Sequence, residues 1–328
     1  MQKKLNIVIY SILILLTFLF IMKIIFVKKE QVKQFSYLNK NITVKITTNK
    51  NIDSIFNKIE TLINKYEKLT DTKNEYEGIN NLYYIRHNFL QNKELKLDKE
   101  LVNMIDKGLE IYDKTNGKID ISKGNLYDLF DEYFTINTGY PSDIEISLAD
   151  NQTIDNIEIK DKKINNNYMN INLDYIKTPY ILNEIKKILD KNDIKYYYIS
   201  CDNESIVGSK TNGKYKVATI NPDNNELLKT INVKNKYIST INTSDYYKYN
   251  NKIYSKIVDT KEKKLVNNMK SITIITTNEN YFLYLSKYLF MKNPSEVIKE
   301  VNKLDNVEVM IYTNDNKIMY SNDFTKNT

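Results

Sequence analysis

Cysteine, histidine and arginine each occur once in 328 residues, as Cys201, His87 and Arg86, and each scarcity removes a class of chemistry. One thiol makes neither an internal disulfide nor a cysteine-rich zinc site. With His87 as the one imidazole, neither a His-based metal centre nor a Ser/His/Asp triad is expected. With a single arginine, the formal charge of +7 rests on lysines scattered along the chain. Specific readout of bases and phosphates favours the planar guanidinium fork, so no nucleic-acid partner is expected, and solubility or attraction to an anionic membrane surface suits the charge better. Seven glycines and four prolines exclude collagen-like and linker-dominated chains. The glycines form neither G-x-G-x-x-G nor G-x-x-x-x-G-K, so no glycine-rich phosphate loop is present. With 41% hydrophobic and 27% charged residues, the chain is long enough and apolar enough to bury a substantial core.

One long apolar run is present, from Leu5 to Val27, with Lys3 and Lys4 before it, Lys23 near its end, and Lys28 and Lys29 after it. About 20 apolar residues span a bilayer, and Lys23 can snorkel to the headgroups. The competing reading, a cleaved signal peptide, has against it the length of the run and the lack of an A-x-A-like site. No cysteine follows closely enough for a lipoprotein anchor. The chain therefore divides into a cytoplasmic tail (1–4), a transmembrane anchor (5–27), a linker (28–34) and one domain (35–325). The expected location is the cell membrane, single-pass, with the domain outside the cytoplasm.

Past Phe35 the patterning is mixed. Ile42, Val44 and Ile46 alternate as in a strand, whereas Ile52, Ile55, Phe56, Ile59, Leu62, Ile63 and Tyr66 keep helical spacing. A second amphipathic helix is predicted from Asp98 to about Thr115, ended by Asn116-Gly117. A third is predicted to begin with Thr178 as N-cap and Pro179 at the first helical position. Strand-like runs follow at 196–200, 206–209 and 216–220, then within 228–241, at 252–258 and at 271–277. Helices at 280–291 and 294–304 and strands at 307–312 and 318–320 complete the pattern. Without strict strand–helix alternation, the fold class is α+β. The acidic trio Asp202, Asn203 and Glu204 tempts a metal reading but has the composition of a turn between strands.

Several segments, in order, resemble the FAD:protein FMN transferase (ApbE) family. The segment from Tyr76 to Leu82 (Y-E-G-I-N-N-L) is similar to the family's Y-D-x-x-S-E-L, and Thr115 to Asp120 (T-N-G-K-I-D) to T-x-G-x-F-D. The stretch 214–224 resembles the family's next strand and turn. The run from Ile238 to Tyr247, then Lys252 to Asp259, then Ser271 to Thr276, resembles the series T-S-G-x-Y, H-I-x-D-P-x-T-G-x-P and S-V-T-V at similar spacing. The resemblance spans nearly the whole domain. It implies an α+β fold, FAD and Mg²⁺ as cofactors, and a flavin-accepting protein as partner, the family reaction being transfer of FMN from FAD to a protein threonine.

Carried over position by position, the resemblance makes Lys256, at the histidine position, and Asp259 the candidate catalytic residues. It makes Tyr76, Lys118, Ile119, Asp120, Asn172 and Ile257 the candidate cofactor-binding residues. The departures from the family pattern are concentrated where the chemistry lies. A lysine is a poor general base at neutral pH. In Asn172 to Tyr180, which is similar to D-L-G-G-I-A-K-G-Y, Asn172 replaces the aspartate, and Asp174, Tyr175 and Pro179 replace glycines. Bulky residues within Cys201 to Ser205 stand where a glycine pair lets backbone approach the ligand. On the helix resembling the family's metal-bearing A-D-A-L-S-T-A-L-F, Leu283 and Lys287 take the aspartate and threonine positions, so no side-chain metal ligand is expected. Two functions follow. One is a membrane-anchored FAD:protein FMN transferase family member with impaired activity; the alternative is a catalytically inactive flavin-binding or assembly protein of the same fold.

Overall fold

The computed structural model describes residues 10–17, 28–87, 94–136, 139–165, 169–210, 212–243, 246–250 and 252–324. Alternating apolar residues build eight strands that pair into one sheet: β1 (Lys29–Tyr37), β2 (Lys40–Thr48), β3 (Tyr197–Cys201), β4 (Glu204–Val207), β5 (Lys236–Asn242), β6 (Ser271–Thr276), β7 (Val307–Tyr312) and β8 (Ile318–Tyr320). They lie in the sheet in chain order, each antiparallel to its neighbour. The helices are insertions between these strands: α1 (Asp53–Thr70), α2 (Leu82–His87), α3 (Lys99–Thr115), α4 (Gly124–Ile136), α5 (Asp143–Ala149), α6 (Asp174–Lys191), α7 (Glu279–Phe290) and α8 (Pro294–Val301). This is the single mixed domain expected from the sequence.

Three apolar clusters hold it together. The largest packs α1, α6 and α7 against one face of the sheet through residues such as Ile59, Ile63, Ile181, Ile185, Leu285 and Leu289. A hairpin of Tyr215–Ile220 and Leu227–Val233 covers the other face, where Ile231 and Val233 meet Val207, Ile238, Ile275, Met310 and Phe324. Covered on both sides, β6 and β7 are buried at every residue, the polar Ser271, Thr273, Thr276 and Glu308 among them. The third cluster sets α4, through Leu126, Tyr127, Phe130 and Phe134, against Tyr247, Val258 and Leu265 of two small hairpins. That unit forms one wall of the cleft described below.

Four expectations need correction or limit. The linker placed at 28–34 is the first half of β1, paired from Lys29 opposite Thr48, so the domain starts ahead of residue 35. Its polar sequence is that of an edge strand, where only Phe35 and Tyr37 are fully covered. The helix predicted to start at Thr178 begins at Asp174, because the Asn172 Oδ1 accepts the Asp174 N–H at 2.9 Å and opens the helix early. Pro179 is therefore interior and removes one helical hydrogen bond. Helices α4 and α5 stand where the sequence reading placed no element. Of the anchor expected at 5–27, only 10–17 are described, and they are helical; the rest of it, the tail at 1–4 and residue 325 lie outside the described residues. Among the described residues no helix is long and apolar enough to cross a membrane.

Gly124 fixes how α4 meets the rest of the domain. A Cβ there would come within 2.0 Å of the Asn170 carbonyl oxygen, the same oxygen that accepts the Gly124 N–H at 3.0 Å. Any larger residue would push α4 away from the segment that leads into α6.

Candidate functional site

Between the α4 unit and the sheet lies a cleft of about 360 Å³. Tyr127, Phe130 and Phe134 of α4 form one wall, with Ile257, Val258 and Leu265. The opposite side is made by the start of α6 (Asp174, Tyr175, Thr178, Pro179), the β3–β4 turn and the end of β5. Tyr175 bridges the two sides. Its ring meets Tyr127 edge-on at 5.1 Å, its hydroxyl accepts the Val258 N–H at 2.6 Å, and it donates to the Lys256 carbonyl at 3.4 Å. Burial pushes the phenol well above its ordinary range, so it stays protonated as a hydrogen-bonding strap.

At the deep end Glu204 and Lys287 form an ion pair, 7% and 6% exposed respectively. Glu204 opens β4 directly opposite Ser239, and Lys287 reaches it from α7. The Lys287 ammonium sits on Glu204 Oε1, Ser239 Oγ also lies 3.5 Å from that oxygen, and Ser239 bonds Ser286 at 2.8 Å. Glu204 Oε2 has no hydrogen-bond partner among the described residues.

The cleft is rich in charge, yet that charge is matched. Each of its five carboxylates meets a cation: Asp128 with Arg86 at 2.8 Å, Asp131 with Lys256 at 3.8 Å, Asp202 with Lys40 at 2.8 Å, Asp174 with Lys177, and Glu204 with Lys287. Burial works to lower the Lys40 pKa, but the hydrogen bond and charge of Asp202 outweigh it and the net shift is upward. Asp174 is held below the usual carboxylate range, with burial opposing and Lys177 prevailing. Burial pushes the Cys201 thiol up to about 12, so the one cysteine in the wall is no nucleophile at neutral pH.

Of the candidate catalytic, cofactor-binding and metal-site positions carried over from the resemblance, Asn172, Lys256, Ile257 and Lys287 line this cleft. Lys256 stands at the mouth, its side chain 47% exposed and its ammonium 4.3 Å from the centre of the Phe134 ring. The others lie elsewhere. Asp259 and Lys118 pair with each other in a neighbouring cleft of about 700 Å³, separated from the first by the hairpin that carries Leu265. Ile119 is core. Tyr76, in the turn after α1, donates to Asp71 at 2.8 Å. Leu283 packs in the main core one helical turn from Lys287 and does not reach the cleft.

Asp120 is also buried away from the cleft, its Oδ1 accepting the Ser122 N–H at 2.8 Å and hydroxyl at 2.7 Å. Burial raises its pKa despite those bonds. Because the folded pKa exceeds the unfolded one, the stability it contributes is present below the unfolded pKa and is lost as pH rises through the folded value. Asp120→Asn keeps the acceptor and cannot ionise. The variant is expected to be more stable than the parent at neutral pH, with the gap closing as the pH falls into the ordinary carboxylate range near pH ~4. Urea unfolding at the two pH values checks this; a gap that does not change with pH rejects it.

The family's metal does not fit these residues. A Mg²⁺ ion needs several hard oxygens, but the ammonium of Lys287 takes one oxygen of Glu204 and would repel a cation beside the other, and Leu283 offers none. Among the described residues no group of three or more His, Cys, Asp or Glu side chains could hold a metal. Glu204 itself was not legible from the Asp202-Asn203-Glu204 string. Asp202 does make the turn, with φ of 48°, whereas Glu204 belongs to the strand that follows and faces the cleft.

The sequence model described as the ApbE family matches residues 38–311. Two curated relatives, both FAD:protein FMN transferases, come from Buchnera aphidicola. The one from subspecies Schizaphis graminum is 27% identical over 200 residues, covering 57% of this chain and 59% of that protein. The one from subspecies Baizongia pistaciae is 28% identical over 199 residues, covering 56% and 58%. The chain thus spans under two thirds of the length of the curated relatives it matches. In structure it is similar to the ApbE protein of Thermotoga maritima, with a TM-score of 0.77, 18% identity and coverage of 91% of this chain and 99% of the other. It is also similar to the flavin transferase ApbE of Vibrio cholerae, with a TM-score of 0.75, 14% identity and coverage of 92% and 100%. These likenesses, at such low identity, concern the fold.

Proposed function

The chain belongs to the ApbE family, and from that premise we propose that it is a membrane-anchored, extracytoplasmic flavin-binding protein that does not perform Mg²⁺-dependent transfer of FMN. The observation that carries this reading is the Lys287–Glu204 pair at the deep end of the cleft. It supplies a fixed cation where a metal would need free oxygens, and an ammonium cannot bridge two phosphate oxygens as a divalent ion does. Lys40 and Lys256 are engaged by Asp202 and Asp131, so little positive charge is left uncompensated for a pyrophosphate.

What the cleft offers instead is an apolar, aromatic slot. A volume of about 360 Å³ lies at the small end of the ~300–1,000 Å³ typical of ligand pockets. It suits a three-ring isoalloxazine lying against Tyr127, Tyr175 and Phe134, with the ribityl chain and any phosphates leading out past Lys256. Tyr175 and Asp174 fill space that glycines would leave open for a dinucleotide. The apolar run 5–27 supports the anchor, and the family supports a flavin-accepting protein as a neighbour at the membrane.

The test incubates the full chain, in mild detergent, with FAD, Mg²⁺ and a threonine-bearing acceptor of an active family member, and reads covalent flavin by in-gel fluorescence. No flavinylation is expected, while riboflavin and FMN bind with the same affinity, within twofold, in Mg²⁺ or EDTA. Flavinylated acceptor, or binding that tightens with Mg²⁺, overturns the proposal.

A further inference from the structure

We infer that the Glu204–Lys287 pair recognises the ligand by the imide edge of its ring system, where a ring N–H stands between two carbonyl oxygens; this rests on the flavin-binding reading above. A carboxylate ordinarily accepts several hydrogen bonds. Here Oε1 takes Lys287 and lies near Ser239, while Oε2, on a side chain more than nine-tenths buried, has no partner among the described residues. A buried acceptor left without a donor is costly, and in the cleft lining a ligand's donor can supply the missing bond. Lys287 carries three N–H donors, of which the bond to Oε1 uses one.

The pair therefore offers an acceptor and a donor side by side, at the closed end of a slot with aromatic walls. A phosphate has only acceptors at neutral pH and would be repelled by the carboxylate. A plain hydrocarbon ring would leave both groups unsatisfied. An imide edge satisfies both, its N–H donating to Glu204 Oε2 and one flanking carbonyl accepting from Lys287. In an isoalloxazine that edge is N3–H with the C2 and C4 carbonyls, at the end opposite the dimethylbenzene ring. The pyrimidinedione thus enters first, and the benzenoid end lies toward Phe134 and Lys256 at the mouth. The step is binding alone, and no bond is made or broken.

The experiment uses the unaltered full chain in mild detergent with three ligands: riboflavin, N3-methylriboflavin and 5-deazariboflavin. Methylation at N3 deletes the donor and adds bulk beside Glu204, and a site built around a hydrogen-bonded N–H discriminates strongly against its absence. Binding of N3-methylriboflavin is expected to be weaker than that of riboflavin by tenfold or more, with 5-deazariboflavin, which keeps the edge, within threefold. If the N3-methyl compound binds within fivefold of riboflavin, the edge assignment is overturned and the flavin-binding reading stands. If riboflavin itself does not bind, both fall together. Because the protein is unmutated throughout, a folding defect cannot imitate either result.

Discussion

Lys287→Met is expected to cost the fold about 3–5 kcal/mol, and adding Glu204→Gln to it is expected to restore most of the loss. The first change removes the cation that is bonded to a buried carboxylate whose second oxygen has no partner among the described residues. Breaking one side of a buried ion pair typically costs that much, because the remaining charge cannot be solvated. The second change replaces the stranded charge with an isosteric amide. A neutral, well-packed substitute for a whole pair is often no less stable than the pair itself. Methionine keeps the length of the lysine stem, so the packing against Ser286 and the sheet changes little. Guanidinium unfolding of the parent, both single variants and the double variant closes the cycle. A coupling of about 2 kcal/mol or more is expected between the two sites. Additive losses would mean that the two charges do not depend on each other, and the account of the deep end of the cleft would have to be abandoned. The same double variant separates folding from recognition, since it keeps the structure while changing the donor and acceptor presented to a ligand.

Much of the fold was legible because its periodicities are clean. Ile42, Val44 and Ile46 alternate on β2, and the stripe from Ile52 to Tyr66 folds as α1 with Ile55, Phe56, Ile59, Ile63 and Tyr66 buried. Asn116 and Gly117 end α3 in the left-handed conformation that their residue types favour. What stayed hidden has physical reasons. β1 is an edge strand whose polar face resembles a linker, and its partner β2 supplies the hydrogen bonds that make it a strand. Leu126, Phe130 and Phe134 of α4 have helical spacing, but what they pack on lies in hairpins more than a hundred residues later. The site divides in the same way. Lys287 was named, as a position without a metal ligand, because a helix register can be carried over from a resemblance. Its partner Glu204 is 83 residues earlier in the chain, and no local pattern announces a charge pair made across a sheet. Asp259 and Lys118 were also selected by resemblance, but the fold joins them to each other and not to the cleft.

That second pair sets the other large effect. Lys118→Met is expected to destabilise the protein by about 3 kcal/mol, and Asp259→Asn by about 1 kcal/mol. Asp259 is 1% exposed; its Oδ2 meets Lys118, and its Oδ1 accepts the Glu262 N–H at 3.1 Å. Around it the turn after α3 is joined to the hairpin of Val258–Asp259 and Lys264–Leu265. Thr260 Oγ1 donates to the Gly117 carbonyl at 2.8 Å, and the Thr260 N–H donates to the Lys118 carbonyl at 3.3 Å. Losing the lysine strands a buried carboxylate within this joint. Losing the charge of the aspartate leaves an amide that still accepts from Glu262 and leaves a lysine whose side chain is 22% exposed and can turn to water. The asymmetry between the two variants is thus the signature of a structural pair. The hairpin also carries Val258 and Leu265 into the cleft wall, so Lys118→Met should weaken riboflavin binding along with stability, and Asp259→Asn should leave binding nearly unchanged. Chemical denaturation and flavin titration on both variants decide the matter. If Asp259→Asn abolished flavin binding while the protein kept the parent's stability, Asp259 would have to act on the ligand directly, and the separation of the two clefts would no longer describe how this protein works.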